Sequence, residues 1–187
     1  MSKTRDNALT MNYSGMFGKQ MVYRNRDGMS IMAKKPKKST HTPVESQIAT
    51  RRRFRAASRW AKVALQDPTT LAMYAARASG MKTPYILAIT NYMRPPEVTQ
   101  INTSEYTGAI GTPINVVAYD DFEIKGVTVK IADSAGSVFE QGPCVENLSD
   151  ETWVYTATKE ISDLHGLVIT AVAKDFPNHT GSLSVTL

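Results

Sequence analysis

Val127-Thr128-Val129-Lys130-Ile131 and, at the end of the chain, Leu183-Ser184-Val185-Thr186-Leu187 alternate apolar and polar residues one for one. Successive side chains of a strand point to opposite faces, so each stretch has one dry face and one wet face. Five further short runs share the same surroundings, giving strands at 97–102, 113–119, 124–132, 137–141, 152–157, 167–174 and 182–187. Gly, Asp and Asn turn residues separate them, and no run in this half has helical period. Seven such strands predict a mainly β chain whose residues 95–187 form a two-sheet Greek-key sandwich.

Pro95-Pro96 marks where that domain begins, because a proline pair stops helix and central strand alike. Upstream, Thr42-Pro43-Val44-Glu45 has the form of a capping box: Thr42 as N-cap, Pro43 in the first turn, Glu45 reaching back. The helix it predicts carries Ile48, Phe54 or Ala57, Ala61 and Leu65 on one stripe and stops before Asp67-Pro68. An alanine-rich second helix is expected over 69–79, closed by Gly80, and 85–92 reads as a strand or a third short helix. Residues 1–12 read as a flexible or partner-ordered arm. Gly15 and Gly18 then precede a short alternating stretch, and Asn25-Arg26-Asp27-Gly28 is a hairpin turn with its return strand at 29–33. The expected organisation is a basic arm and hairpin at 1–41, a helical region at 42–94 and the sandwich at 95–187.

Charge divides along the same lines. Residues 1–62 hold 15 Lys/Arg against 3 Asp/Glu, whereas residues 97–187 hold 4 against 13. A basic arm joined to an acidic globular end suits an anionic partner, and it equally suits head-to-tail association of copies. The basic residues form two groups. Lys34, Lys35, Lys37 and Lys38 surround Pro36, either as a solvated linker or as a polyanion contact. Arg51, Arg55, Arg59 and Lys62 fall at spacings of four, four and three, hence on one helix face, with Arg52 beside them. Like charges stacked in this way repel, and no acid interrupts the sequence between Glu45 and Asp67. An anionic partner, either nucleic-acid phosphate or an acidic protein surface, answers that repulsion. Only Phe54 and Trp60 are nearby for base stacking, so sequence-specific RNA recognition is not expected.

No motif of catalysis stands out, and the chain is expected not to be an enzyme and to need no cofactor. Cys144 has no base-like neighbour and reads as a small buried residue. His41, His165 and His179 lie far apart, without the close ligand pairs of a zinc site. There is no Gly-x-Ser-x-Gly, Walker loop or Rossmann fingerprint. Asp120-Asp121 with Glu123 is a weak Ca²⁺ candidate, a solvated turn being the plainer reading. No apolar run approaches a membrane span, the longest being Tyr85-Ile86-Leu87-Ala88-Ile89. No apolar stretch of signal-peptide type follows Met1-Ser2-Lys3-Thr4-Arg5, so synthesis in the bacterial cytoplasm is expected.

Several of these stretches resemble known families. Pro95-Pro96-Glu97-Val98-Thr99, Gly111-Thr112-Pro113-Ile114-Asn115-Val116-Val117-Ala118-Tyr119-Asp120-Asp121 and Trp153-Val154-Tyr155-Thr156-Ala157 resemble bacterial immunoglobulin-like domains. So does the closing stretch, Thr170-Ala171-Val172-Ala173-Lys174-Asp175-Phe176-Pro177-Asn178-His179-Thr180-Gly181, with Pro177 where that family usually has glycine. The resemblance implies a display or adhesion module without chemistry of its own. Gly15-x-x-Gly18, Val22-x-Arg24, Gly28, Pro36, Thr42-Pro43, Gln47, Arg51 or Arg52, and Phe54 resemble uncharacterised proteins of Bacteroides-type bacteria and their crAss-like phages.

This second resemblance implies a phage setting. The expected function is therefore a virion protein, associated with the capsid, a ring or a head–tail connector. Its partners would be other virion proteins and further copies of itself. The alternatives are non-specific binding of a nucleic-acid backbone through residues 34–62 and a surface- or carbohydrate-binding module.

Overall fold

The computed structural model describes residues 13–26, 29–37, 40–150 and 152–187, and the backbone of 2–5. The chain divides into two compact units, Met1–Ile89 and Thr90–Leu187. The division falls inside the third helix, a few residues before Pro95-Pro96.

The first unit opens with β1 (Ser2–Arg5), β2 (Gly15–Phe17), β3 (Met21–Arg26) and β4 (Met29–Lys34), a four-stranded antiparallel sheet in the order β1-β4-β3-β2. This corrects the expectation of a two-stranded hairpin after an unstructured arm. Residues 2–5 pair with Met29, Ser30, Ile31 and Met32, and the Gly15 segment adds a further strand. Two edge strands supply the backbone partners that an isolated hairpin lacks. The β3–β4 pairing is in register across the expected turn, whose residues Asp27 and Gly28 lie outside the described set. Gly18 and Lys19 take positive φ between β2 and β3 (57° and 58°), which makes this turn tight. The sheet buries little, and of its described side chains only Ile31 is counted as buried.

Three helices follow: α1 (Glu45–Ala64), α2 (Pro68–Ala76) and α3 (Pro84–Met93). The expected capping box does not form. Helix α1 begins after Val44, whose side chain offers no acceptor, and Thr42 and Pro43 stay outside it. The capping carboxylate belongs to the next helix, where Asp67 Oδ2 accepts from the Thr70 amide (2.9 Å) and hydroxyl (2.7 Å). Those two donors, the hydroxyl first, hold the Asp67 carboxyl below its ordinary value. Helix α2 ends at Ala76 with Arg77 as C-cap, so Gly80 does not cap it. Gly80 instead sits at positive φ (55°) in a tight turn closed by pairing of Ser79 with Lys82. Segment 85–92 is helix, within α3. The helices bury small residues, Ala57, Ala61 and Ala88, with Tyr74 as the one large side chain fully enclosed. Ser58 and Tyr85 join α1 to α3 through a 2.6 Å hydroxyl contact.

The second unit contains β5 (Glu97–Asn102), β6 (Pro113–Tyr119), β7 (Ile124–Ala132), β8 (Val138–Pro143), β9 (Val145–Asn147), β10 (Thr152–Thr156), β11 (Val168–Asp175) and β12 (Thr180–Thr186). The seven expected strands are all present within one or two residues at each end. Strand β9, only three residues long, was not foreseen. Two antiparallel sheets result, ordered β5-β6-β10-β9 and β12-β11-β7-β8. Their inward residues alternate along each strand as the sequence requires. Ile114 and Val116 come from β6, Val127, Val129 and Ile131 from β7, and Ile169, Ala171 and Ala173 from β11, all at most 1% exposed. With Val98, Ile101, Tyr155 and Leu167 they make one core fed by both sheets. Burying a Val or Ile of this kind contributes about 1.5–3 kcal/mol.

Because that core is closed within the unit, fragment 90–187 is expected to fold alone. Its far-ultraviolet circular dichroism should be β-rich and its thermal unfolding cooperative. A helical spectrum, or loss of cooperativity, would contradict a self-contained core.

Candidate anionic-partner interface

Helix α1 carries six exposed basic side chains between Arg51 and Lys62. At 1.5 Å rise per residue, Arg51 and Lys62 stand about 16 Å apart along the axis. Arg51, Arg52, Arg55, Arg59 and Lys62 are all exposed. Among the described residues none forms a hydrogen bond or ion pair with the side chains of these five. Neighbouring cations about 6 Å apart in water repel by about 0.7 kcal/mol per pair, so the helix tolerates the stack. Glu45 in the first turn and Lys62 in the last turn oppose the helix dipole and recover part of that cost. Ala57 and Ala61 anchor the opposite face; of the two alternatives for the buried stripe, Ala57 is buried and Phe54 is 53% exposed. The short alanine side chains seat the helix closely, and the arginines point away from that seat.

The lysine group is a second, separate feature. Lys34, Lys35 and Lys37 are exposed and, with Lys19, line a cleft of about 650 Å³ at the end of the small sheet. The Lys35 amide donates to the Gln20 carbonyl at 2.8 Å, which fixes this end of the sheet. Lys38 lies outside the described residues.

The acidic residues singled out as a Ca²⁺ candidate have other work. Asp121 accepts hydrogen bonds from the Arg94 guanidinium and from the Tyr119 hydroxyl (3.1 Å), and the Arg94 contact holds its carboxyl below the ordinary value. Asp120 Oδ1 accepts from the backbone amides of Phe122 (2.7 Å) and Glu123 (2.9 Å), organising the turn into β7. Among the described residues no three His, Cys, Asp or Glu side chains converge to hold a metal ion. Cys144 is buried, and burial pushes its thiol up to about 12, so it is not a thiolate near neutral pH.

Two buried carboxylates escaped sequence reasoning. Glu140 is 4% exposed, and its Oε2 accepts from the Tyr155 hydroxyl, the Thr158 amide and hydroxyl, and the Lys159 amide. Asp175 is fully buried at the β11–β12 turn, where Oδ1 accepts from the His179 amide (2.6 Å) and Oδ2 meets His179 Nδ1 (3.2 Å). Tyr92 packs edge-on against that imidazole with ring centres 4.5 Å apart. Asn178, not Pro177, takes the left-handed conformation in this turn (φ 70°), which explains how proline is accommodated where glycine was expected.

Burial pushes the Asp175 carboxyl above its ordinary 3.8, with the Asp120 charge adding to the effect and the His179 contacts opposing it. A raised carboxyl favours folding most when protonated, so its contribution is lost as pH rises past 3.8 through the raised value. Asp121, held low, acts in the opposite sense and only below its ordinary value. Between about pH 4 and pH 5.5, below the usual imidazole range, the stability of wild type relative to Asp175→Asn should therefore fall with rising pH. Urea unfolding at several pH values tests this, and parallel curves would contradict it.

Comparisons with known proteins add little. No family model matches the chain, and no curated protein matches it. Among solved structures, a conjugative transposon lipoprotein from Bacteroides eggerthii is similar at 14% identity and a TM-score of 0.26. That match covers 48% of this chain and 92% of the lipoprotein.

Proposed function

We propose that the chain is a non-enzymatic structural component of a phage particle, associated with the capsid, a ring or a head–tail connector. The observation that carries this reading is the cationic face of α1. Five exposed basic side chains face away from their helix's seat with no counter-charge among the described residues. A surface of that kind is built for an anionic partner, and in a particle that partner is a neighbouring protein's acidic face. The phage setting rests on the sequence resemblance of the first unit.

The second unit reads as an immunoglobulin-like Greek-key sandwich that packs against or projects from the assembly. Its strand orders support this: labelled A to G with an extra C′, β5-β6-β10-β9 is ABED and β12-β11-β7-β8 is GFCC′. The inter-sheet disulfide of antibody domains has no counterpart, since Cys144 is the chain's single cysteine.

Non-specific binding to a nucleic-acid backbone is the second reading, and the same arginine face favours it. Particle composition separates the two. A component is present at a fixed copy number, whereas a packaged nucleic-acid binder varies with genome length.

A further inference from the structure

Resting on the particle-component reading, we propose that copies of the chain associate head to tail. In this arrangement β9 and its turn, residues 145–150, of one copy dock on β2 and the lysine cleft of the next copy.

Among the described residues both surfaces are open edges. Strand β2 ends the sheet β1-β4-β3-β2, and β9 ends the sheet β5-β6-β10-β9, so each leaves one side of its backbone unpaired within its sheet. Such edges are ready templates for an added strand. Both are also apolar where a monomer would be polar. On the β2 side Tyr13, Met16 and Phe17 are 63%, 57% and 67% exposed and, with Tyr23, border a cleft of about 290 Å³. On the β9 side Val145 and Leu148 are 74% and 82% exposed, the latter the most exposed large apolar residue of the described chain.

The turn that presents Leu148 is preorganised. Asn147 Nδ2 donates to Asp150 Oδ2 (3.0 Å), and Asn147 Oδ1 accepts from the Ser149 amide (3.2 Å). Little ordering entropy remains to be lost on docking.

Charge selects the occupant. The unit bearing β2 holds 17 Lys/Arg against 4 Asp/Glu, and the unit bearing β9 holds 5 against 13. Two β2 edges, or two β9 edges, would bring like charges together. Only the β2-to-β9 pairing sets Glu146 and Asp150 against Lys19, Lys34, Lys35 and Lys37. An interface between two different surfaces is heterologous, so it propagates into rings or filaments and does not stop at a dimer.

The test is the mass of the full chain in solution. Light scattering from about 1 µM to about 1 mM, the range for interfaces of modest size, should show the mass climbing from 20.6 kDa through successive multiples. Added salt should lower it. Two variants sharpen the test: Met16→Ser with Phe17→Ser, and Val145→Lys with Leu148→Lys. All four side chains are exposed, so both variants should keep the wild-type circular dichroism. Each alone should stay at the single-chain mass, having lost one half of the contact. An equimolar mixture should give a species of twice that mass and no larger, since one intact β9 edge meets one intact β2 edge. Wild type that stays at 20.6 kDa throughout, or a mixture that fails to pair, overturns head-to-tail docking. A monomeric chain that is nevertheless found in particles would overturn this docking alone, whereas a self-assembling chain absent from particles would overturn the particle reading alone.

Discussion

Glu140→Ala is expected to destabilise the second unit by about 3–5 kcal/mol, a large share of the stability of a domain this size. One carboxylate oxygen, Oε2, accepts four hydrogen bonds, from Tyr155, from the Thr158 amide and hydroxyl, and from the Lys159 amide. Removing it leaves the Tyr155 hydroxyl inside the core, at a residue only 2% exposed, and frees the segment after β10 from the edge strand β8. Burial, aided by the Glu140 contact, pushes the Tyr155 phenol up to about 12, so it remains a donor that needs an acceptor. Glu140→Gln should cost far less, about 1 kcal/mol, because an amide oxygen can replace Oε2. The amide nitrogen would then stand where Oε1 now has no partner, in a region where the Tyr106 hydroxyl also has none. Urea unfolding of fragment 90–187 reads both effects. A loss below about 1 kcal/mol for the alanine variant would mean that Glu140 does not hold this segment.

Replacing Arg51, Arg55, Arg59 and Lys62 together by Gln should leave stability within about 1 kcal/mol, since all four are exposed and repel one another. Incorporation into particles should be lost. If the partner is instead a nucleic-acid backbone, the change appears in the salt dependence of binding. Each neutralised phosphate releases counterions, so the slope of log affinity against log salt should flatten by up to about four units. Between 50 and 200 mM salt that is roughly two orders of magnitude in affinity. Unchanged incorporation together with an unchanged slope would remove the helix face from both readings.

The strands of the second unit were legible because each has one dry face, and alternation reports a dry face directly. Val127, Val129 and Ile131 point inward, while Thr128 and Lys130 take more solvent. Strand β9 was not legible, since three residues are too few to show a period and Val145 faces solvent. Glu140 does have a signal, lying on the inward side of β8 beside Phe139 and Gln141, which are exposed. A charged residue at an inward position is read as a strand's end or a solvent face unless its donors are known, and these come from residues 15 to 19 positions away. In the first unit, Thr42 to Glu45 had the right residues for a capping box, but the extended N-cap position fell on Val44, leaving Thr42 and Pro43 outside a helix that began at Glu45. Pairing of residues 2–5 with β4 was hidden because neither partner alternates clearly. The arginine face was fully legible, as spacing alone places its four residues together on a helix. What answers that charge cannot be read from spacing, and among the described residues nothing within the chain answers it.

Quantitative mass spectrometry of purified particles, with the capsid protein as internal standard, tests whether the chain is a built-in part of a phage particle, as proposed. A built-in component is present at a fixed, symmetry-related copy number that does not change when packaged genome length is varied. Particles that lack the chain, or that carry it in proportion to genome length, would rule that role out.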